Sequence, residues 1–155
     1  MIKEVILKSM KLHEFCGATG EISLNFNRNL TEFIGDNGKG KSLILNSFAW
    51  LLTGKDAFGE TRSPFTNNGT KIAFSFVEAT VEIGGKETTL KRLVERSATG
   101  KVTTTLWQDH SQVKIADWKA NFDPDICLTL INPKYLSTLS SSNMKKVVMK
   151  IIKSY

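Results

Sequence analysis

The eight residues GDNGKGKS at positions 35 to 42 constrain this chain more than any other stretch of its sequence. They satisfy the pattern G-x-x-x-x-G-K-[ST], with Gly35, Gly40, Lys41 and Ser42 in register. Glycines at 35, 38 and 40 let the backbone curl so that successive amide N–H groups converge, and a helix starting near Lys41 would aim its positive end at the same point. Such a cradle suits the phosphates of a nucleotide. Lys41 is then expected to reach the β- and γ-phosphates, and the Ser42 hydroxyl to ligate Mg²⁺. The bland alternative is a glycine-rich turn without a ligand.

The pattern requires a strand before the loop and a helix after it, and the flanking residues supply both signals. Leu30 to Ile34 reads as a strand entering the loop. After it, Leu43, Ile44, Ser47, Phe48, Leu51 and Leu52 recur at helical spacing, and Gly54 stands where a glycine stop belongs. Upstream, residues 2 to 12 and 21 to 27 alternate as two strands around a turn at Cys16 to Gly20. Downstream, three runs rich in Thr, Val, Ile and Phe (72 to 84, 86 to 96 and 101 to 110) are separated by glycine-containing breaks, which predicts antiparallel hairpins. A short helix is expected over Ala116 to Phe122. Ile126 to Ile131 reads as a buried strand ended by Asn132-Pro133, and FDPDI before it as a turn. Asn143 is the expected cap of a final helix with Met144, Val147, Val148, Ile151 and Ile152 on one face and lysines on the other.

Composition narrows the class. A chain of 155 residues, 41% of them apolar, fits one soluble globular domain. No apolar run reaches the length of a membrane-spanning helix. Charges at Lys3, Glu4, Lys8, Lys11 and Glu14 break up any signal-peptide stretch, so a cytoplasmic protein is expected. Cys16 and Cys127 lie far apart without CxxC spacing and read as buried thiols. The net charge is +6, and residues 126 to 155 hold five lysines and no acid. That basic tail suits nucleic-acid phosphates or an acidic partner, and equally a solvated helix face. His13 and His110 read as surface or strand-end residues, and Trp50, Trp107 and Trp118 as packing rather than base-stacking residues.

The stretch NLTEFIGDNGKGKSLILNSFAWLLTGKD resembles the N-terminal lobe of the SMC, SbcC and RecF group of ABC-type ATPases, and LKSMKLHEFCGATGEISLNFN is similar to that lobe's opening strands. The later strands through INPKYLSTL look most like short SMC-like ATPases carried by phages and prophages. The resemblance implies an α/β P-loop NTPase fold with a mixed β-sheet, an antiparallel β-rich subdomain over 57 to 115 and a basic amphipathic helix over 143 to 155. It implies ATP and Mg²⁺ as ligands. The phosphate pocket would be lined by Gly35, Asn37, Gly38 and Lys39, followed by Gly40, Lys41, Ser42 and Leu43. Ser42 is the metal ligand among these. Asn132 would lie near the loop, where relatives hold a glutamine, and Cys16 stands where relatives often carry a Lys or Arg.

Relatives hydrolyse ATP with a Walker B strand ending in carboxylates and with an LSGG-like signature. Here no Asp or Glu follows Asp125, and TLSSSN at 138 to 143 has no glycine pair. Without a carboxylate to orient water, no turnover is expected from this lobe alone. The reading is therefore an ATP-binding lobe linked to DNA repair or recombination. A complementary ATPase lobe is its expected partner, with nucleic acid on the basic tail as a second. The competing reading is a truncated, ATPase-like interaction protein of a phage or mobile element that inhibits a host defence or nuclease complex. Neither reading involves a membrane.

Overall fold

The computed structural model describes residues 4–36, 38, 40–65 and 73–154. Two of the expected loop contacts, Asn37 and Lys39, lie outside the described residues, as does Ile72 at the head of one expected strand. The N-terminal strands are β1 (Val5–His13) and β2 (Glu21–Asn25), followed by helix α1 (Lys41–Thr53). Four more strands come next: β3 (Phe74–Ile83), β4 (Lys86–Arg96), β5 (Val102–Gln108) and the short β6 (Ser111–Val113). The chain then turns helical, through α2 (Ile115–Asn121), α3 (Pro124–Ile131), α4 (Tyr135–Thr138) and α5 (Ser141–Ser154).

The strands form one sheet in the order β2-β1-β3-β4-β5-β6. Every ladder among the described residues is antiparallel, where a mixed sheet was expected. The hairpins carry their turn chemistry locally. Gly84 and Gly85 join Ile83 to its partner Lys86 at positive φ, the geometry that a two-residue hairpin with right-handed strand twist demands. Asp109 and His110 adopt the same left-handed region between β5 and β6, and the Asp109 carboxylate accepts the Thr89 N–H at 2.9 Å.

Alternation decides what the sheet buries. Met10 and Leu12 of β1, Val77, Ala79 and Val81 of β3, Leu90 and Val94 of β4 and Leu106 of β5 all point to one face. Against that face lie Trp50, Leu51 and Leu52 of α1 and Trp118 of α2. On the opposite face His13 stacks on Phe74 and Phe76, with ring centroids 4.6 and 5.4 Å away, and the Lys91 ammonium sits 4.1 Å above the Phe76 ring. A second, smaller cluster of Ala49, Ala57, Leu128 and Tyr135 joins α1 to α3 and α4.

Three expectations fail, each for a physical reason. Leu30 to Ile34 is not a strand: it has no ladder partner among the described residues, and Leu30 and Ile34 are 76% and 88% exposed. An extended segment becomes a strand only when a neighbour takes its N–H and C=O groups. Ile126 to Ile131 is helical, because Asp123 caps the N–H groups of Asp125 and Ile126 and Pro124 occupies the first turn. FDPDI is thus a helix start rather than a turn before a strand. Finally, α5 begins at Ser141, ahead of Asn143, and it is Ser140 whose hydroxyl accepts the Asn143 N–H.

Candidate nucleotide site

The glycine loop reaches α1 through two left-handed residues, Gly38 at φ 82° and Gly40 at φ 86°. A Cβ at either position would meet nothing within 4 Å, so the glycines serve backbone conformation and not close packing. Gly40 is the N-cap of α1, which has no side-chain cap and no acidic residue in its first turn. The first-turn N–H groups, without a side-chain cap, and the positive helix end therefore face an open, exposed loop. Lys41 folds back over this loop, its ammonium donating to the carbonyls of Gly35 and Asp36. Ser42 is exposed beside it, and Leu43 donates its N–H to the Gly40 carbonyl at 3.0 Å. Gly35, Gly38, Gly40, Lys41, Ser42 and Leu43 are thus brought together at one helix end.

A cleft of about 120 Å³ runs beside that helix. It is lined by Phe15 and Cys16, by Leu43, Asn46 and Trp50 of α1, and by Asp56 and Arg62. Its polar framework is built on Asp56, whose side chain is 3% exposed and accepts the N–H groups of Phe58 and Glu60 and the Arg62 Nε–H, the last at 2.7 Å. Arg62 itself remains largely exposed. Asn46, which also lines the cleft, accepts the Ala57 N–H at 3.2 Å. The Cys16 turn is tied to the same loop by the Cys16 N–H donating to the Pro64 carbonyl at 2.8 Å. Both Glu14 and Cys16 take positive φ values of 48°, a strained conformation for side chains of that size.

The two cysteines are half-buried, not buried. Burial pushes the Cys16 thiol up, against the pull of Arg62, and pushes Cys127 up to about 12 with a further contribution from Asp123. Both stay protonated at neutral pH, which makes them poor nucleophiles. Asn132 does not serve the loop as a glutamine would: it is buried, donates to the Ala57 carbonyl at 3.0 Å and accepts the Lys134 N–H. Lys11, on the outer sheet face, points toward Glu21 at 3.9 Å. Trp50 and Trp118 are core residues, at 3% and 1% exposure.

Sequence reasoning missed Asp56, Arg62, Asn46 and Arg92. None stands in a recurring local pattern; the fold gathers them. Arg92 of β4 donates from Nε to the Leu51 carbonyl at 3.0 Å and from Nη2 to the Leu52 carbonyl at 3.5 Å, so it closes the carbonyl end of α1. Burial lowers its pKa to about 10, and it stays cationic at neutral pH. Among the described residues no group of three or more His, Cys, Asp or Glu is placed to hold a metal ion. No described helix is long and apolar enough to cross a membrane.

Known proteins resemble this chain in sequence or in fold. The chromosome partition protein Smc of Fusobacterium nucleatum subsp. nucleatum is 33% identical over 57 residues, 37% of this chain and 5% of that protein. The SMC head domain from Thermotoga maritima matches with a TM-score of 0.57 at 26% identity, covering 75% of this chain and 41% of that one. The recombination mediator protein RecF, solved with ATP in the context of the RecFOR pathway, matches with a TM-score of 0.58 over 73% of this chain and 30% of its own; at 17% identity this likeness concerns the fold. The chain thus spans less than half the length of each. An AAA domain model (AAA_23) matches residues 7–152. The chain belongs to the AAA domain family, as an N-terminal ATPase-like lobe with the α/β fold of an ABC-type head related to SMC and RecF.

Proposed function

We propose that this lobe binds ATP with Mg²⁺ at residues 35 to 43 and works within an SMC- or RecF-like ATPase linked to DNA repair or recombination. The observation that carries it is the passage through left-handed Gly38 and Gly40 straight into the uncapped first turn of α1, with Lys41 at its first position. The residues fit the ligand. Exposed N–H groups at a helix N-terminus suit phosphate, and a single hydroxyl suits Mg²⁺, which takes one or two protein ligands besides the phosphates and water. When bound, the metal neutralises phosphate charge. Lys41, which here bonds the carbonyls of Gly35 and Asp36, would hold phosphate oxygens, and the Ser42 hydroxyl would be a ligand of the metal. Asn37 and Lys39 belong to the same proposed contact set. Along α1, the cleft offers Arg62 and the Asn46 amide to the rest of the nucleotide.

Residues 126 to 155 hold no carboxylate, and the segment where a Walker B strand was sought is α3. Hydrolysis therefore needs groups from a complementary lobe. The Leu30 to Ile34 segment, largely exposed and without a ladder partner among the described residues, is the surface we assign to it. Titration of Mg-ATP into the purified chain is expected to release heat, and Lys41→Ala to abolish it; absent or equal heat in both overturns the reading. The same exposed segment also favours the second reading, a non-enzymatic interaction protein. A stable partner that Lys41→Ala retains would support that instead.

A further inference from the structure

Arg92 makes no ion pair with a carboxylate among the described residues. Its guanidinium instead meets the Leu51 and Leu52 carbonyls near the end of α1, the Trp50 ring 5.5 Å from the guanidinium carbon, and Gly54. A Cβ at Gly54 would stand 3.2 Å from Arg92 Nη1, so the helix stop and the guanidinium are fitted to each other. Beside it, the Trp118 indole N–H donates to the Leu52 carbonyl at 2.8 Å. The negative end of the helix supplies the compensation that a carboxylate supplies elsewhere. The forked guanidinium spans two successive carbonyls, which a lysine head cannot do.

We infer that Arg92 is a positioning residue for the nucleotide site: by locking the carbonyl end of α1 onto β4, it fixes where the opposite end of that helix presents Lys41, Ser42 and its free N–H groups. This inference rests on the nucleotide reading above. The 13 residues of α1 make a rod of roughly 20 Å. In a stiff rod of that length, a sideways shift at one end changes where the other end points. Displacements near 1 Å are large on the scale of oriented hydrogen bonds.

The test compares Arg92→Met, Arg92→Lys and Val94→Ala in the full chain, by Mg-ATP calorimetry at a temperature where each is folded. Val94 is a core residue of the same strand and does not contact the α1 carbonyls through hydrogen bonds. Arg92→Met is expected to weaken Mg-ATP by about tenfold, with Arg92→Lys intermediate and Val94→Ala unchanged despite its lower melting temperature. A merely structural Arg92 would lower the melting temperature and leave affinity at the wild-type value, and that result overturns the inference alone. If Arg92→Met does not fold, Arg92→Lys decides: wild-type affinity in it overturns the inference. A wild-type chain that binds no Mg-ATP overturns the nucleotide reading and this inference with it.

Discussion

The two ends of α1 are built on opposite plans. At its N-terminus the helix has an exposed glycine cap, no capping side chain and a lysine that donates to the loop's own carbonyls at Gly35 and Asp36. At its C-terminus every resource is spent on closure: Arg92 and Trp118 take the Leu51 and Leu52 carbonyls, and Gly54 at φ 77° returns its N–H to Trp50. A helix end left unsatisfied is destabilising unless water or a ligand takes its N–H groups. The contrast teaches that rigidity and reactivity are separated along one element. The anchored end holds the helix on the sheet so that the open end can remain free for a ligand.

That contrast can be broken experimentally, starting with its anchored side. Trp118→Ala removes a buried ring and the bond to Leu52, and is expected to cost about 3–5 kcal/mol in urea unfolding. A cost below about 1 kcal/mol would mean that the C-terminal anchor is dispensable. Next in size is Gly59→Ala. Gly59 has φ 87° and a Cβ there would come within 2.6 Å of the Tyr135 ring, so a loss of about 1–3 kcal/mol is expected, with the Asp56 loop displaced. Unchanged stability would show that the loop is not packed against α4 as described. By contrast, Lys41→Ala should change stability by no more than about 0.5 kcal/mol while removing Mg-ATP heat. If it destabilises as much as Trp118→Ala, the two ends do not differ in the proposed way.

The smallest effect concerns α5. Lys150 donates to Asp125 at 2.8 Å and to Asp123 at 3.2 Å, and Tyr135 donates to Asp125 at 3.1 Å. Burial raises the Asp125 pKa, but the bonds from Lys150 and Tyr135 and the charges of Lys150 and Lys55 outweigh it, so the carboxyl lies below its ordinary value of 3.8. Because the folded value is the lower one, the stabilisation is full above 3.8 and fades as pH falls through the folded pKa. NMR amide shifts of α5 should therefore hold steady from pH 8 to 5, by the range in which carboxylates stay ionised, and move below about pH 4. In Lys150→Met this acid step should shrink; an identical step in both proteins would remove the clamp from the account.

What could be read along the chain was what short-range chemistry controls. The α1 stripe ending at Gly54, and the hairpin turns at Gly84-Gly85 and around Gly100, each depend on residues a few positions apart. Residues 126 to 131 show where periodicity alone is ambiguous: six mostly apolar residues suit a strand or a buried helix, and the deciding cap at Asp123 and Pro124 lay just upstream. Leu30 to Ile34 failed differently, since its β-like composition needed a neighbour that the described residues do not place beside it.

By itself, the sequence determined the glycine loop, the helix it opens and the glycine-broken hairpins, because backbone conformation at glycines and side-chain alternation are local properties. Only the tertiary structure decided that Arg92, 41 positions from Leu51, closes that helix, that Asp56 holds Arg62 beside the cleft, and that Asn132 is engaged by Ala57. Those pairings link residues distant along the chain or buried without a repeating pattern. They exist because burying a polar group without a partner is costly, and the fold brings the partners within reach.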